Sequence, residues 1–214
     1  SSSLCVPFDK HPATVIAPER APLLIQSLDQ RLEAIRALGV DATLILPFDE
    51  AMSQIPAEAF IQGLAVDLGR ISSICVGAQF AFGQDRKGNV KLLQQLGQEL
   101  NFVAHGTASV ALDGETVSST RIRQAITGGQ LDLAGQMLGR EYALAGKVIR
   151  GDQRGRELGF PTANLEITGR CTPPNGVYAA HAEVDGEPYR AAVIIGLRPT
   201  LKDPEPGLHV EAYL

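Results

Sequence analysis

The strongest constraint in this sequence is a regular alternation of short apolar runs with longer amphipathic ones over its first two thirds. Apolar runs of strand length occupy residues 4–8, 42–46, 72–76 and 102–105. Between them, large apolar residues recur at helical spacing before Gly39, after Pro56 and after Gly88. Strands that alternate with helices predict a parallel sheet covered on both faces, because parallel neighbours need a crossover helix. We therefore predict an α/β fold for this part of the chain.

The pattern changes near Gly139. Two short helices are predicted at residues 118–128 and 131–138. Beyond them, runs of strand length are separated by Gly, Pro, Asp and Asn turns, with no helical stripe. Such spacing suggests a small antiparallel barrel or sandwich. We predict two domains, residues 1–139 and 140–214.

Composition and charge limit the possible functions. The 214 residues are 44% hydrophobic and 20% charged, which excludes disordered, collagen-like and coiled-coil chains. A net charge of -5 argues against a broad nucleic-acid-binding surface. No apolar run approaches the ~20 residues of a membrane helix, and the first residues lack the features of a signal peptide. We expect a cytoplasmic protein with neither a nucleic-acid nor a membrane partner, and with Cys5 and Cys75 as small buried thiols.

The segment GDQRGRELGFPTANL, residues 151–165, has the most unusual composition. Its regularly spaced glycines suit a loop whose backbone comes close to a ligand, and two arginines lie between them. Thr162 and Asn164 share one face of an extended segment, so both could meet a single Mg²⁺ ion or phosphate. A Gly-rich hairpin with surface arginines explains the composition equally well.

This segment, together with GVYAAHAEV and IIGLRPT, resembles the riboflavin kinase module. VSSTRIRQAI and LGREYALAGKVIRGD resemble the prokaryotic bifunctional riboflavin kinase and FMN adenylyltransferase (FAD synthetase) family. FDKHP, LPFDEAMSQIPAEAFI and VGAQFAFGQDRKGNVKLL follow in the order expected for that family, so the resemblance covers nearly the whole chain. It implies a doubly wound nucleotidyltransferase domain followed by a six-stranded antiparallel barrel. Its substrates and products would be ATP, riboflavin, FMN and FAD, with Mg²⁺ as the metal.

For the kinase half, the resemblance implies that Thr162 and Asn164 hold Mg²⁺ and ATP phosphates. Glu211 matches the glutamate taken as the base for the ribityl hydroxyl. Taken alone, Glu211 would be an outward-facing strand residue. The remaining residues implied in ATP or flavin binding are Gly151, Gly155, Arg156, Gly159 and Pro161.

For the adenylyltransferase half, Ser119, Thr120 and Arg123 lie at a predicted helix start, where amides and hydroxyls suit a polyphosphate. Helix capping is the simpler account of these hydroxyls. The resemblance also places five residues near the nucleotide: Asp9, His11, Gln79, Phe80 and Gly83. Gln79 departs from the Asp or Asn usual at its position, and His11 alone would be an ordinary surface residue.

The family's first strand and turn carry two histidines that flank a glycine, and this chain has no such pair. The family also continues beyond the Glu211 strand with more barrel strands and a long helix. We therefore expect a fragment truncated at both ends, in which the 214 residues themselves catalyse no adenylylation. Two alternatives are a non-catalytic flavin-nucleotide binding or regulatory protein, and a kinase whose α/β half is structural.

Overall fold

A computed structural model describes residues 2–150, 161–200 and 203–214. The chain divides into two compact units. The first comprises Ser1–Pro22 and Ala34–Val117, and the second comprises Leu23–Glu33 and Ser118–Leu214. No helix among the described residues has both the length and the apolar character needed to cross a bilayer.

The first unit contains parallel strand pairs joined by helices. Its main strands are β1 (Leu4–Cys5), β2 (Ala42–Thr43), β3 (Ser73–Gly77) and β6 (Val103–Thr107). β1 pairs with β2 and β3 pairs with β6, both in parallel, as the alternation predicts. β1 is shorter than predicted because Pro7 has no N–H to continue the ladder, although the Pro7 carbonyl still accepts a hydrogen bond from the Leu46 amide at 2.9 Å.

Five helices occur in this part of the chain: α1 (Ala13–Ile16), α2 (Leu28–Ala37), α3 (Glu50–Ser53), α4 (Ala57–Leu68) and α5 (Val90–Leu100). α2, whose residues up to Glu33 belong to the second unit, α4 and α5 lie close to their predicted positions. The short helices α1 and α3 and the 3-10 turns at Pro18–Arg20 and Gln84–Arg86 were not predicted. Two short hairpins complete the unit, β4 (Ala81–Phe82) with β5 (Gly88–Asn89) and β7 (Ala111–Leu112) with β8 (Glu115–Thr116). The core is formed where α4 and α5 pack on the sheet, around Ile61, Leu93, Leu96 and Phe102.

The prediction that Cys75 is buried is wrong, because it lies on β3 and is exposed. Alternation along the strand turns its neighbours Ile74 and Val76 toward the core, so Cys75 points to the opposite face. Cys5 is only partly buried. An apolar run predicts a strand here, but it does not show that both faces of the strand are covered.

The second unit contains α6 (Ser119–Thr127), α7 (Leu131–Leu138) and a five-stranded antiparallel sheet. The strands are β9 (Lys147–Ile149), β10 (Ala163–Glu166), β11 (Gly176–Val184), β12 (Glu187–Thr200) and β13 (Asp203–Tyr213). Their order is β11-β12-β13-β10-β9, so within the described residues the sheet is open. Its core is built around Ile167, Ile195 and Val210.

A cluster of backbone hydrogen bonds secures residues 23–24 within the second unit. The Leu24 amide donates to the Gly169 carbonyl at 2.8 Å, and the Cys171 amide donates to the Leu24 carbonyl at 2.9 Å. The Tyr142 hydroxyl donates to the carbonyl of the fully buried Cys171. Burial of the Tyr142 hydroxyl raises its pKa above the usual value of 10.0.

The hydrogen bond from Tyr142 predicts a pH-dependent contribution to stability. We expect Tyr142→Phe to lower the free energy of unfolding by about 1–2 kcal/mol at neutral pH, because the Cys171 carbonyl loses its donor. The folded state holds the phenolic proton more tightly than the unfolded state does. The contribution is therefore full below pH ~10 and decreases as pH rises through the folded-state pKa. Urea unfolding of both proteins at about pH 8 and pH 11 tests this, and an equal difference at both values would contradict it.

Gly83 is enclosed by the start of α4. Its φ of +72° and ψ of 178° lie in a region that glycine alone adopts freely. A Cβ atom at this position would lie 2.5 Å from the Ala57 Cα. Ala57 is 2% exposed and cannot retreat without moving the helix.

We expect Gly83→Ala to destabilise the protein by about 3 kcal/mol, since backbone strain and a clash add together. Gly39→Ala is the matched control, because Gly39 has a similar φ of +76° and nothing within 4 Å of an added Cβ. This control should cost about 1 kcal/mol. Denaturant unfolding of the two variants measures the difference, and equal costs would show that the Ala57 contact is unimportant.

Candidate functional site

Three predicted kinase residues are brought together on adjacent strands. Asn164 on β10 lies directly opposite Glu211 on β13. Directly opposed residues of an antiparallel pair project from the same face, and Thr162, two residues before Asn164, projects there as well. The Thr162 Oγ1 donates a hydrogen bond to the Glu211 Oε2 at 3.1 Å.

Glu211 is a buried carboxylate on the face opposite the apolar core. Its neighbours along β13, Val210 and Ala212, are 1% and 7% exposed. Val210 packs with Ile195 in the core, and successive side chains alternate between the faces of a strand. Glu211 therefore points away from the core, as expected for an outward-facing strand residue. It is nevertheless only 8% exposed. A carboxylate so far removed from water needs polar partners, and Thr162 supplies one.

The donor set of this cluster fits Mg²⁺. The metal prefers oxygen ligands and usually takes one or two protein oxygens together with substrate phosphates and water. Thr162 offers a hydroxyl, Asn164 an amide carbonyl and Glu211 a carboxylate. Because Thr162 uses its hydrogen toward Glu211, the lone pairs of its oxygen are left as the acceptor side that a cation requires. No group of three His, Cys, Asp or Glu side chains arranged for a metal occurs in the described part of the chain.

The other predicted kinase residues precede this cluster. Pro161 is exposed and leads directly into β10. Gly151, Gly155, Arg156 and Gly159 lie outside the described residues. The structure thus describes the end of the predicted loop at Thr162 and the strand that carries Asn164.

In the first unit, His11 lies in the turn before α1. Its Nδ1 accepts a hydrogen bond from the Ala13 amide at 3.1 Å, which assigns the proton of the neutral ring to Nε2. Asp9 lies just before it and accepts a hydrogen bond from the Phe48 amide through Oδ1 at 2.9 Å. Asp9 therefore fixes the chain that carries His11 to the segment after β2.

Phe80 and Gly83 lie in the loop between β3 and α5. The ring of Phe80 stacks on Phe82 at a centroid distance of 5.4 Å and an interplanar angle of 18°. Phe82 is buried while Phe80 is 40% exposed. The Phe82 ring is therefore anchored in the core, and the Phe80 ring that stacks on it is accessible. Gln79 is exposed in the turn that follows β3.

A short segment connects the His11 turn to this aromatic loop. α1, which follows His11, packs against α3. At the end of α3, the Gln54 Oε1 accepts a hydrogen bond from the Gln84 Nε2 at 2.8 Å, and the Gln84 amide donates to the Ile55 carbonyl at 2.8 Å. A continuous set of contacts within the first unit therefore links the turn that carries Asp9 and His11 to the segment that carries Phe80 and Gly83.

Ser119, Thr120 and Arg123 belong to the second unit. The N-cap of α6 is Ser118, whose Oγ accepts a hydrogen bond from the Arg121 amide at 3.2 Å. Capping therefore does not account for Ser119 and Thr120, which lie exposed in the first turn. Arg123 has a structural contact, because its Nε donates to the Leu23 carbonyl at 2.6 Å.

Two features were missed at the level of sequence. Ser27 and Gln30 form a capping box before α2, in which the Gln30 amide donates to the Ser27 Oγ and the Ser27 amide donates to the Gln30 Oε1. The S-x-x-Q spacing was a sufficient signal for it. The second is the neighbour of Glu211 on β12, Ile194, which lies directly opposite it through a strand register that local patterns do not predict.

Comparison with known proteins finds a family match for each half of the chain. The family model for FAD synthetase matches residues 1–121, and that for riboflavin kinase matches residues 138–214. A bifunctional riboflavin kinase/FMN adenylyltransferase from Pseudomonas fluorescens is 34% identical over 99% of this chain and 68% of its own length. The protein of the same description from Escherichia coli (strain K12) is 36% identical over 91% of this chain and 62% of its own length.

The fold is shared with a solved structure. A crystal structure described as a macrolide-efflux protein from Streptococcus pneumoniae matches with a TM-score of 0.80 and 26% identity, over 99% of this chain and 68% of that one. The sequence matches thus extend over most of the chain, which spans about two thirds of the length of its curated relatives. The chain belongs to the bifunctional riboflavin kinase/FMN adenylyltransferase family.

Proposed function

We propose that this protein makes flavin cofactors in two steps. It phosphorylates riboflavin to FMN with ATP, and it then transfers an adenylyl group from ATP to FMN, which yields FAD and pyrophosphate. The observation that carries the kinase step is the cluster of Thr162, Asn164 and Glu211 on one face of the sheet, within the region matched by the riboflavin kinase family. We also propose that the described strands form part of a closed barrel and that the first unit forms part of a doubly wound sheet.

In the kinase step, Glu211 accepts the proton of the terminal ribityl hydroxyl and orients its oxygen toward the γ-phosphorus of ATP. The hydrogen bond from Thr162 to Oε2 fixes the orientation of the carboxylate. The oxygens of Thr162 and Asn164 would hold Mg²⁺, which would neutralise charge on the ATP phosphates. Phosphoryl transfer depends mainly on positioning and charge neutralisation, and one well-placed acceptor for the proton is enough.

For the adenylylation step, each unit offers groups suited to a nucleotide. In the first unit, the neutral His11 ring carries its proton on Nε2, and this N–H is a donor suited to a phosphate oxygen. Phe80 presents a ring supported by Phe82, on which a planar base can stack. In the second unit, Ser119 and Thr120 offer hydroxyls and amides at the start of α6, where the helix dipole favours negative charge.

The base assignment is tested by Glu211→Gln in the protein as its gene encodes it. We expect FMN formation to fall by about 100-fold or more, because the amide does not accept the hydroxyl proton. Adenylylation of supplied FMN should be unchanged. Both rates are measured by chromatographic separation of riboflavin, FMN and FAD.

Glu183→Gln is the matched control, since Glu183 is an exposed glutamate on β11 of the same sheet. It should leave both activities unchanged. Normal FMN formation by Glu211→Gln would contradict the assignment of Glu211 as the base. Tight riboflavin binding without turnover in the unmodified protein would favour the non-catalytic alternative.

The phosphate role of α6 is tested by Ser119→Ala. We expect about a tenfold loss of FAD formation with unchanged FMN formation, because one donor to a charged group is removed. Adding Arg123→Ala should deepen the loss of FAD formation. Since Arg123 also anchors Leu23, the double variant requires a parallel measurement of unfolding. An equal loss of both activities would indicate a folding defect rather than a ligand contact.

A further inference from the structure

The hairpin of β4 and β5 has a strained tip, defined here as residues 83–87. Gly83 and two residues that are not glycine, Asp85 and Arg86, have positive φ values of +72°, +54° and +58°. This left-handed conformation is unfavourable for a residue that carries a Cβ atom, so it persists only where surrounding contacts hold it. The tip therefore needs contacts with the rest of the first unit to keep its shape.

Gln84 supplies two such contacts, both to the segment that joins α3 and α4. Its amide donates a hydrogen bond to the Ile55 carbonyl at 2.8 Å, and its side-chain Nε2 donates to the Gln54 Oε1 at 2.8 Å. The two side chains Gln54 and Gln84 are named here the glutamine bridge. At the far end of the tip, a Cβ atom at Gly88 would lie 2.7 Å from the Ala57 Cβ, so the hairpin also rests closely on the first residue of α4.

The tip is connected to the accessible ring of Phe80 through Phe82. Phe82, two residues before Gln84, is buried, and its ring centroid lies 6.4 Å from that of Phe60 on α4. The Phe80 ring stacks on Phe82 on the side of the loop that precedes the tip. A displacement of the tip therefore reaches Phe80 through the ring that supports it.

We infer that the glutamine bridge positions Phe80 for the planar nucleotide ring that stacks on it. The inference rests on the proposed adenylyltransferase function, in which Phe80 carries a planar ring and His11 contacts a phosphate. The ring is the adenine of ATP or the flavin of FMN, since both substrates of that reaction are planar at one end and carry phosphate at the other.

The position of Gln54 gives the bridge this role. Gln54 follows α3, and α3 packs against α1, which follows His11. The bridge thus ties the loop of Phe80 to the elements next to the phosphate donor, so that one nucleotide can meet both. Gln54 is exposed, and an exposed hydrogen bond between neutral groups contributes little to stability. Its loss should therefore affect the position of the loop more than the folding of the unit.

The test removes the bridge and keeps the backbone hydrogen bond. Gln84→Met has a side chain of similar length without the amide, so the tip keeps its bond to Ile55 and loses the one to Gln54. In the protein as its gene encodes it, we expect the KM for either ATP or FMN in FAD formation to rise about three- to fivefold, with kcat within about twofold. FMN formation from riboflavin should be unchanged. The substrate whose KM rises identifies the ring, and unchanged KM values for both substrates would overturn the inference.

Two variants of Gln54 separate positioning from packing. Gln54→Glu keeps an acceptor for the Gln84 side chain and should preserve both KM values within about twofold. Gln54→Met removes the acceptor and should match Gln84→Met, and the two changes together should be no worse than either alone, because all three variants lack the same hydrogen bond. Gln98→Met, at an exposed glutamine of α5, is the matched control for the substitution itself. An equal loss in Gln54→Glu and Gln54→Met would contradict the proposed role.

A further pair of changes shows whether the bridge acts through the stacking ring. Phe80→Leu removes that ring, so the addition of Gln84→Met to it should raise neither KM further. A further rise as large as that in the unmodified background would overturn the inference.

Binding gives a readout that needs no turnover. Calorimetry should show that Gln84→Met weakens the binding of either AMP or FMN about three- to fivefold, whereas inorganic pyrophosphate, which has no ring, binds equally to all variants. If the unmodified protein forms no FAD, the proposed function fails, and these dissociation constants still decide the inference. An equal weakening of pyrophosphate and of both ring ligands would assign the effect to folding and overturn it.

Discussion

The proposed kinase site depends on the register between β10 and β13. Asn164 opposes Glu211, and this pairing brings together two segments that are far apart in the sequence. Side chains alternate between the two faces of a strand, so a slip by one residue would move Glu211 to the core face and Val210 to the site. The buried residues Val210 and Ile195 oppose such a slip, because it would expose both of them to the other face. The apolar core thereby determines the geometry of the polar site on the opposite face.

Much of the secondary structure follows from local patterns, whereas the site contacts do not. Apolar periodicity and breakers such as Gly39 and Pro56 were enough to predict α2, α4, α5 and the parallel strands, whereas the short helices α1 and α3 carry too few apolar repeats to be predicted. The type of residue at Thr162 and Asn164 suggested an oxygen site, and alternation predicted that they share a face. The hydrogen bond from Thr162 to Glu211 could not be predicted, because register between distant strands is not encoded in either strand alone.

The start of α6 shows how a local pattern can support two roles at once. Three hydroxyl residues precede or begin this helix, and any of them could have been its cap. The structure assigns the cap to Ser118 and leaves Ser119 and Thr120 exposed in the first turn. Arg123 illustrates the opposite case, because a residue implied in ligand binding also holds the chain at Leu23. Loss of function at Arg123 is therefore ambiguous, whereas loss at Ser119 is informative.

Burial of Glu211 carries a cost to folding. A carboxylate withdrawn from water loses hydration that hydrogen bonds such as the one from Thr162 replace only in part. The same withdrawal lowers the local dielectric, which strengthens the attraction between the carboxylate and a bound cation or an acceptor hydroxyl. Ile194 contributes to this environment as the apolar neighbour across the strand pair, and it remains 45% exposed. An apolar side chain offers the carboxylate no hydrogen bond, so Ile194 does not offset the cost of burying Glu211 as Thr162 does.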